Sequence, residues 1–231
     1  MKKIVILTGA GISAESGIKT FRDADGLWEG HDVMEVASLE GFANNPELVL
    51  DFYNQRRRQL LTVSPNKAHV NLVELEQDFD VQIITQNVDD LHERAGSKQV
   101  LHLHGELLKV KSTVDDNLVL DWKEDLVLGD VCPEGNQLRP DIVWFGEMVP
   151  MLENAVDIVA QADILVIIGT SMQVYPAASL IDYVPENTPI YFIDPKPAVN
   201  KSQFENLTII EDVASAGTDK LIDLLNNVNV I

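Results

Sequence analysis

The sequence predicts an α/β fold: a doubly wound, Rossmann-like parallel sheet with a small second lobe built from two insertions. Three observations carry this. Short, continuously apolar runs alternate with helix-like stretches along the chain, a glycine-rich turn follows the first run, and two stretches break the rhythm.

The apolar runs are Lys3–Thr8, Val81–Thr85, Val100–His104, Ile142–Phe145, Ile164–Ile168, Ile190–Ile193 and Leu207–Ile210. Several lack polar alternation, as strands covered by helices on both faces do. Helices are expected at Pro46–Leu61, Asn66–Gln77, Glu153–Gln161, Pro176–Tyr183 and Thr218–Asn226. Trp28 to Leu61 forms a long, mostly helical excursion, and Leu108 to Leu138 is polar and weakly periodic. The expected division of one domain, 1–231, therefore gives the sheet lobe residues 1–27, 62–107 and 139–231. Residues 28–61 and 108–138 form the small lobe. A length of 231 residues suits such a domain.

Charge narrows the function. Seventeen basic against 37 acidic side chains leave a net charge of −20. Such a surface repels nucleic acid and anionic lipid, so neither is an expected partner. An anionic ligand must be held locally, by backbone N–H groups and a few placed arginines. The lone cysteine, Cys132, rules out an internal disulfide and suits a reducing compartment. Met1-Lys2-Lys3 leads into only four apolar residues, too few for a signal peptide or a membrane span, so a cytoplasmic location is expected. A monomer is plausible, and the oligomeric state is open.

The first strand runs into Gly9-Ala10-Gly11-Ile12-Ser13-Ala14-Glu15-Ser16-Gly17. A strand ending in such a turn sets bare backbone N–H groups against a pyrophosphate. Taken alone, it is equally a tight strand-to-helix turn, because the third glycine falls one place later than in G-x-G-x-x-G. The continuation Gly17-Ile18-Lys19-Thr20-Phe21-Arg22-Asp23 is also unusual for a simple dinucleotide fold. His102 and His104 share one face of a strand, where a core histidine or half of a metal pair are alternatives. Asn87 and Asp89 follow the carboxyl end of a strand, where ligands collect and where helix caps also occur.

Taken in order, these blocks resemble the sirtuin family: Gly9 to Ser13 through Phe21-Arg22, Thr85-Gln86-Asn87-Val88-Asp89, His104-Gly105, Arg139 through Glu147, Gly169-Thr170-Ser171 and Ile193-Asp194-Pro195. They cover nearly the whole chain. The resemblance implies an NAD-dependent protein-lysine deacylase, with NAD consumed and nicotinamide and O-acyl-ADP-ribose released. By resemblance His104 is the general base, suited by its pKa near working pH. Asn87, Asp89 and Gln86 hold the nicotinamide end. The loop Gly9, Ala10, Gly11, Ile12, Ser13 and Glu15 takes the phosphates under a flap carrying Phe21 and Arg22. Gly169, Thr170, Ser171, Asp194 and Ala214 reach the adenosine half, although the family usually carries Asn at the Asp194 position. Val143, Phe145, Gly146 and Glu147 offer a strand edge to an acyl-lysine peptide. Three rivals stay open at this point: a dehydrogenase, an ADP-ribosyltransferase or NAD hydrolase, and a non-catalytic NAD-binding module.

Two further features bear on the resemblance. Most sirtuins hold zinc with four cysteines, but the matching positions here are Ser112, Asp115, Cys132 and Gly135, which cannot close a tetrahedral site. No zinc is expected, and packing of Leu118, Leu120, Trp122, Leu126 and Val127 is expected to hold the lobe instead. Tyr53 and Arg56 stand at i and i+3 in a helix and resemble the Tyr-x-x-Arg pair of sirtuins that act on acidic acyl groups. This implies desuccinylase and demalonylase activity with some deacetylase activity.

Overall fold

The computed structural model describes residues 1–19, 27–28, 30–197, 199 and 206–228. The amino-terminal half carries β1 (Lys3–Thr8), a 3-10 helix (Ala10–Ser16), the two-residue strands β2 (Leu27–Trp28) and β3 (His31–Asp32), α1 (Val33–Val36), α2 (Leu39–Asn44), α3 (Pro46–Leu60) and α4 (Lys67–Leu75). Then come β4 (Asp80–Thr85), α5 (Leu91–Ala95), β5 (Val100–His102), β6 (Gly105–Ser112), β7 (Val119–Asp121) and β8 (Leu138–Ile142). The last third holds α6 (Leu152–Val159), β9 (Ile164–Ile168), a second 3-10 helix (Ala177–Tyr183), β10 (Ile190–Ile193), β11 (Leu207–Ile210) and α7 (Ala214–Val228).

The apolar runs form a six-stranded parallel sheet in the order β11-β10-β9-β1-β4-β5. Alternation along β1 explains why no polar residue interrupts it. Ile4 and Ile6 enter one core with Leu72 of α4 and Leu221 of α7, while Val5 and Leu7 enter the other with Val159 of α6 and Leu180. The chain leaves β1 toward β4 on one side and returns as β9 on the other. The crevice beyond their carboxyl ends is thus the switch point of the sheet, where such folds take ligands.

A smaller antiparallel sheet, β7-β6-β8, lies against α3. Its joint with α3 is polar as well as apolar. Asn54 clasps the backbone of Leu126 in both directions, Nδ2 donating to the carbonyl at 2.9 Å and Oδ1 accepting from the amide at 2.8 Å. Arg57, fully buried, donates to the Leu107 carbonyl at 3.1 Å and to Asn54 Oδ1 at 2.7 Å. Burial pulls its pKa down to about 10, against the pull of Asp125. Below these bonds Leu50, Val110, Leu126, Cys132 and Leu138 form a compact core, flanked by Leu118, Leu120 and Trp122.

Several expectations need correction. The run Ile142–Phe145 is not a strand of the large sheet. β8 ends at Ile142 and pairs with β6, and the run is apolar because Ile142 and Trp144 pack into the α1–α3 core. The helix expected at Pro176–Tyr183 is of the 3-10 type and runs over Ala177–Tyr183, with Pro176 as its cap. The fifth strand stops at His102, because Gly105 (φ +81°) turns the chain into β6. Val127 is 53% exposed and lies outside the small core, since the Asn54 clasp fixes its neighbour Leu126 inward. Cys132 Sγ lies 3.8 Å from Ser112 Oγ inside that core, so two of the positions matched to zinc ligands do meet. Among the described residues no group of three or more His, Cys, Asp or Glu could hold a metal ion, and no helix is long and apolar enough to cross a membrane.

Removing the clasp tests this account of the lobe. Asn54→Ala orphans two buried backbone groups and a guanidinium donor, at about 1–3 kcal/mol for each unsatisfied group. Its melting temperature should fall by at least ~4 °C, whereas a chelator should leave the wild-type melting temperature unchanged. Stoichiometric zinc in the purified chain, or unfolding on chelation, would contradict this.

Candidate active site

The turn after β1 lies on the end of β9, backbone against backbone. Gly9 N–H donates to the Ile168 carbonyl at 3.0 Å and Gly11 N–H to the Gly169 carbonyl at 2.8 Å. Glycine is required on both sides. A Cβ on Gly11 would sit 2.5 Å from Gly169 Cα, and one on Gly169, itself at φ +63°, would sit 2.4 Å from the Ile12 nitrogen. The turn continues as a 3-10 helix rather than an α-helix. Ile12 points into the core, and Ser13 lies beneath the cavity floor, fully buried.

A cavity of about 660 Å³ opens above this contact, within the ~300–1,000 Å³ typical of small-molecule sites. Gly9, Ala10, Gly11, Gly169, Thr170 and Ser171 line one end, with Asp194 and Ala214 nearby. Asp194 is buried and accepts the Lys196 amide at 2.8 Å. Glu15 lines the rim, but its carboxylate is engaged by Ser215, at 2.9 Å from the amide and 2.5 Å from the hydroxyl, which tethers the start of α7. Phe21 and Arg22 lie outside the described residues.

The middle of the cavity is set by the segment after β4. Asn87 is held by its amide donating to Thr85 Oγ1 at 3.0 Å and by Nδ2 donating to Ser13 Oγ at 3.2 Å. Ser13 in turn donates to Asp89 Oδ2 at 3.0 Å. Burial pushes the Asp89 carboxyl up to about 6, against the lowering effect of the Leu91 amide and the Ser13 hydroxyl. Gln86 Nε2 donates to Thr170 Oγ1 at 3.2 Å and ties the two strand ends together.

His104 borders the same cavity. Its Nδ1 lies 3.0 Å from the Gln86 carbonyl, an acceptor only, so Nδ1 carries the proton. Nε2 is then the basic nitrogen. Burial lowers the ring's pKa below 6.5, against the opposing Gln86 hydrogen bond, so the imidazole is neutral at pH 7. This is the protonation state a general base needs.

The far end is aromatic. Tyr53 is fully buried, lines the cavity and accepts from Trp144 Nε1 at 2.9 Å; burial raises its pKa. Arg56 is not among the cavity-lining residues. Its Nη1 donates to the Phe52 carbonyl at 2.6 Å and its guanidinium stacks 3.7 Å from the Phe52 ring centre. Val143, Phe145, Gly146 and Glu147 do line the cavity; Phe145 forms an isolated parallel bridge with Ser38, and the chain turns at Gly146. Val143 N–H donates to the His104 carbonyl and Phe145 N–H to Ala37, both at 2.9 Å. Glu147 accepts the Trp144 amide at 2.8 Å and pairs with Arg139 at 2.5 Å. The roles of Trp144 and Arg139 were missed, although both lie inside the block that carried the resemblance.

Fold and site together define a doubly wound α/β protein with a tight glycine contact at its switch point and a neutral histidine in the adjoining cavity. Comparison with known proteins makes the assignment narrower. A profile of the Sir2 family matches residues 9–176. The chain is 64% identical over 214 residues to a Helicobacter pylori protein named NAD-dependent protein deacylase, covering 93% of each chain. It is 53% identical over 231 residues to a Bacteroides thetaiotaomicron protein of the same name, covering 97% of this chain and 98% of that one. A Sir2 homologue solved with ADP-ribose superposes with a TM-score of 0.89 at 39% identity, covering 100% of this chain and 94% of that one. A Sir2 protein solved with a deacetylated p53 peptide and 3′-O-acetyl ADP-ribose gives 0.80 at 28% identity, covering 95% and 92%. The chain belongs to the Sir2 family.

The glycine contact can be tested directly. Gly11→Ala forces the turn off β9, at about 1–3 kcal/mol for an overpacked contact. NAD titrated calorimetrically should bind at least ~5-fold more weakly to this variant. Undiminished affinity would show that the glycine contact does not shape the nucleotide site.

Proposed function

We propose that this chain is an NAD-dependent protein-lysine deacylase that takes acidic acyl groups, succinyl, malonyl or glutaryl, ahead of acetyl. The observation that carries the reading is a neutral His104, fixed through Nδ1, in a cavity also lined by the close-packed Gly9, Gly11 and Gly169. NAD bound there supplies a ribose whose nicotinamide departs and whose hydroxyl receives the acyl group.

The chain's own residues do the rest. The turn at Gly9 and Gly11 packs on Gly169 and Thr170, where a Cβ on either would collide, and this holds the cavity wall in place for the phosphates. Asn87 and Asp89, cross-linked through Ser13, hold the nicotinamide end with little freedom to reorganise. His104 Nε2 takes the proton from the ribose hydroxyl. Val143 to Glu147 and Phe145 in particular, 45% exposed, form the entry for the acyl-lysine peptide. The buried free thiol of Cys132 suits a reducing cytoplasm, which completes the reading.

His104→Ala should lower nicotinamide release from an acylated peptide by about 10²–10⁴-fold while most NAD affinity remains. In the wild type, kcat/KM should hold its plateau through pH 7 and fall on the acid side with an apparent pKa below 6.5, because the folded ring takes up its proton only there. Full activity in the variant would remove His104 from the chemistry.

Acyl preference rests on Tyr53 at the cavity wall and Arg56 one helical turn further on the same face. Engaging a terminal carboxylate requires the guanidinium to leave the Phe52 carbonyl and form charge-assisted bonds beside the phenol. Arg56→Met should therefore reduce desuccinylation by roughly 10–150-fold, equivalent to about 1.5–3 kcal/mol, and keep or raise deacetylation. A wild type that prefers acetyl-lysine, or a variant that loses both activities alike, would refute the preference.

A further inference from the structure

His102 and His104 stand two residues apart, and their rings reach two consecutive carbonyls. His104 Nδ1 lies 3.0 Å from Gln86 O and His102 Nδ1 lies 3.1 Å from Asn87 O. The other nitrogens differ. His104 faces the cavity, whereas His102 Nε2 lies 2.8 Å from Glu93 Oε1 in a side chain only 9% exposed. We propose that His102, paired with Glu93, is a positioning residue: a doubly donating ring that fixes the Asn87 carbonyl and with it the nicotinamide end of the cavity. This rests on the deacylase reading above.

The chemistry follows from the two acceptors. A carbonyl and a carboxylate can only accept, so a ring bonded to both carries two protons and a positive charge. The charged and titratable groups around it are Glu93 and His92 on α5, Glu106 and Lys109 on β6, and Asp89 after β4. Burial alone would expel the proton. The Glu93 hydrogen bond and charge, then Glu106, more than offset this and lift the ring above its ordinary 6.5. Lys109 is engaged with Glu106 at 2.6 Å, and His92 is held neutral by its own burial.

Loss of one proton must break one contact. If Nε2 keeps its hydrogen for Glu93, the Nδ1 lone pair faces the Asn87 carbonyl. If Nδ1 keeps it, a lone pair faces the carboxylate. Either way the segment that carries Asn87 loses a fixed point. The two histidines thereby bracket the working range: activity falls at low pH as His104 gains a proton and at higher pH as His102 loses one.

The test uses the full chain with its histidine rings labelled with ¹⁵N, followed by NMR, alongside nicotinamide release from a succinylated peptide across pH. Expected in the wild type are protons on both His102 nitrogens at pH 7, a ring midpoint above 6.5, and an alkaline fall in kcat/KM at that midpoint. Glu93→Gln keeps an acceptor and removes the charge, so it should move the ring midpoint and the alkaline limb down together by about one pH unit, a tenfold loss of proton affinity. The acid limb should stay in place. A His102 ring that is neutral at pH 7 in the wild type overturns the proposal, even if the variant fails to fold. So does an alkaline limb that stays put while the ring midpoint moves. A charged His102 in a chain that releases no nicotinamide would sink the deacylase reading and the positioning role with it.

Discussion

The approach of two backbones at the switch point governs this structure. Gly11 and Gly169 meet so closely that neither can carry a side chain, and the hydrogen bond from Gly11 N–H to the Gly169 carbonyl locks them there. Everything else in the site is measured from that contact. Thr170, next along the chain, receives Gln86 Nε2, and the Gln86 carbonyl in turn orients the His104 ring. Displacing the glycine contact would therefore be felt at the His104 ring, several bonds away.

Beneath the cavity a set of buried polar groups sets the angle of the Asn87 segment. Thr8 donates to Thr85, Thr85 accepts the Asn87 amide, and Ser13 joins Asn87 to Asp89. Each of these groups would be costly if left unpaired, and satisfied as they are they make the floor rigid. Such rigidity suits a site whose work is positioning and charge stabilisation.

Much of the fold was legible because burial on both faces writes itself as unbroken apolar sequence. β1, β9, β10 and β11 have the bounds their apolar runs suggest. The Ile142–Phe145 run misled for the same reason: Ile142 and Trp144 are apolar for a helical core, and nothing local distinguishes that from a sheet. Asn87 and His104, next to strand ends, were picked out from place and resemblance, and both line the cavity. What could not be read was partnership. His102 gives no local sign that Glu93 lies opposite it, nor does the Arg56-Arg57-Arg58 run show that its side chains part. Arg57 is buried under β6, Arg58 reaches Asp125 on the surface, and Arg56 covers Phe52.

The way the small sheet is joined to α3 sets what can damage it. A thiolate cluster is open to oxidants, which convert its ligands and release the ion. This chain has one thiol, and Cys132 is only 2% exposed in the core beside Leu126. Amide and guanidinium hydrogen bonds at Asn54 and Arg57 have no redox chemistry. The bonds that seat the helix bearing Tyr53 and Arg56 against the small sheet therefore offer an oxidant nothing to react with.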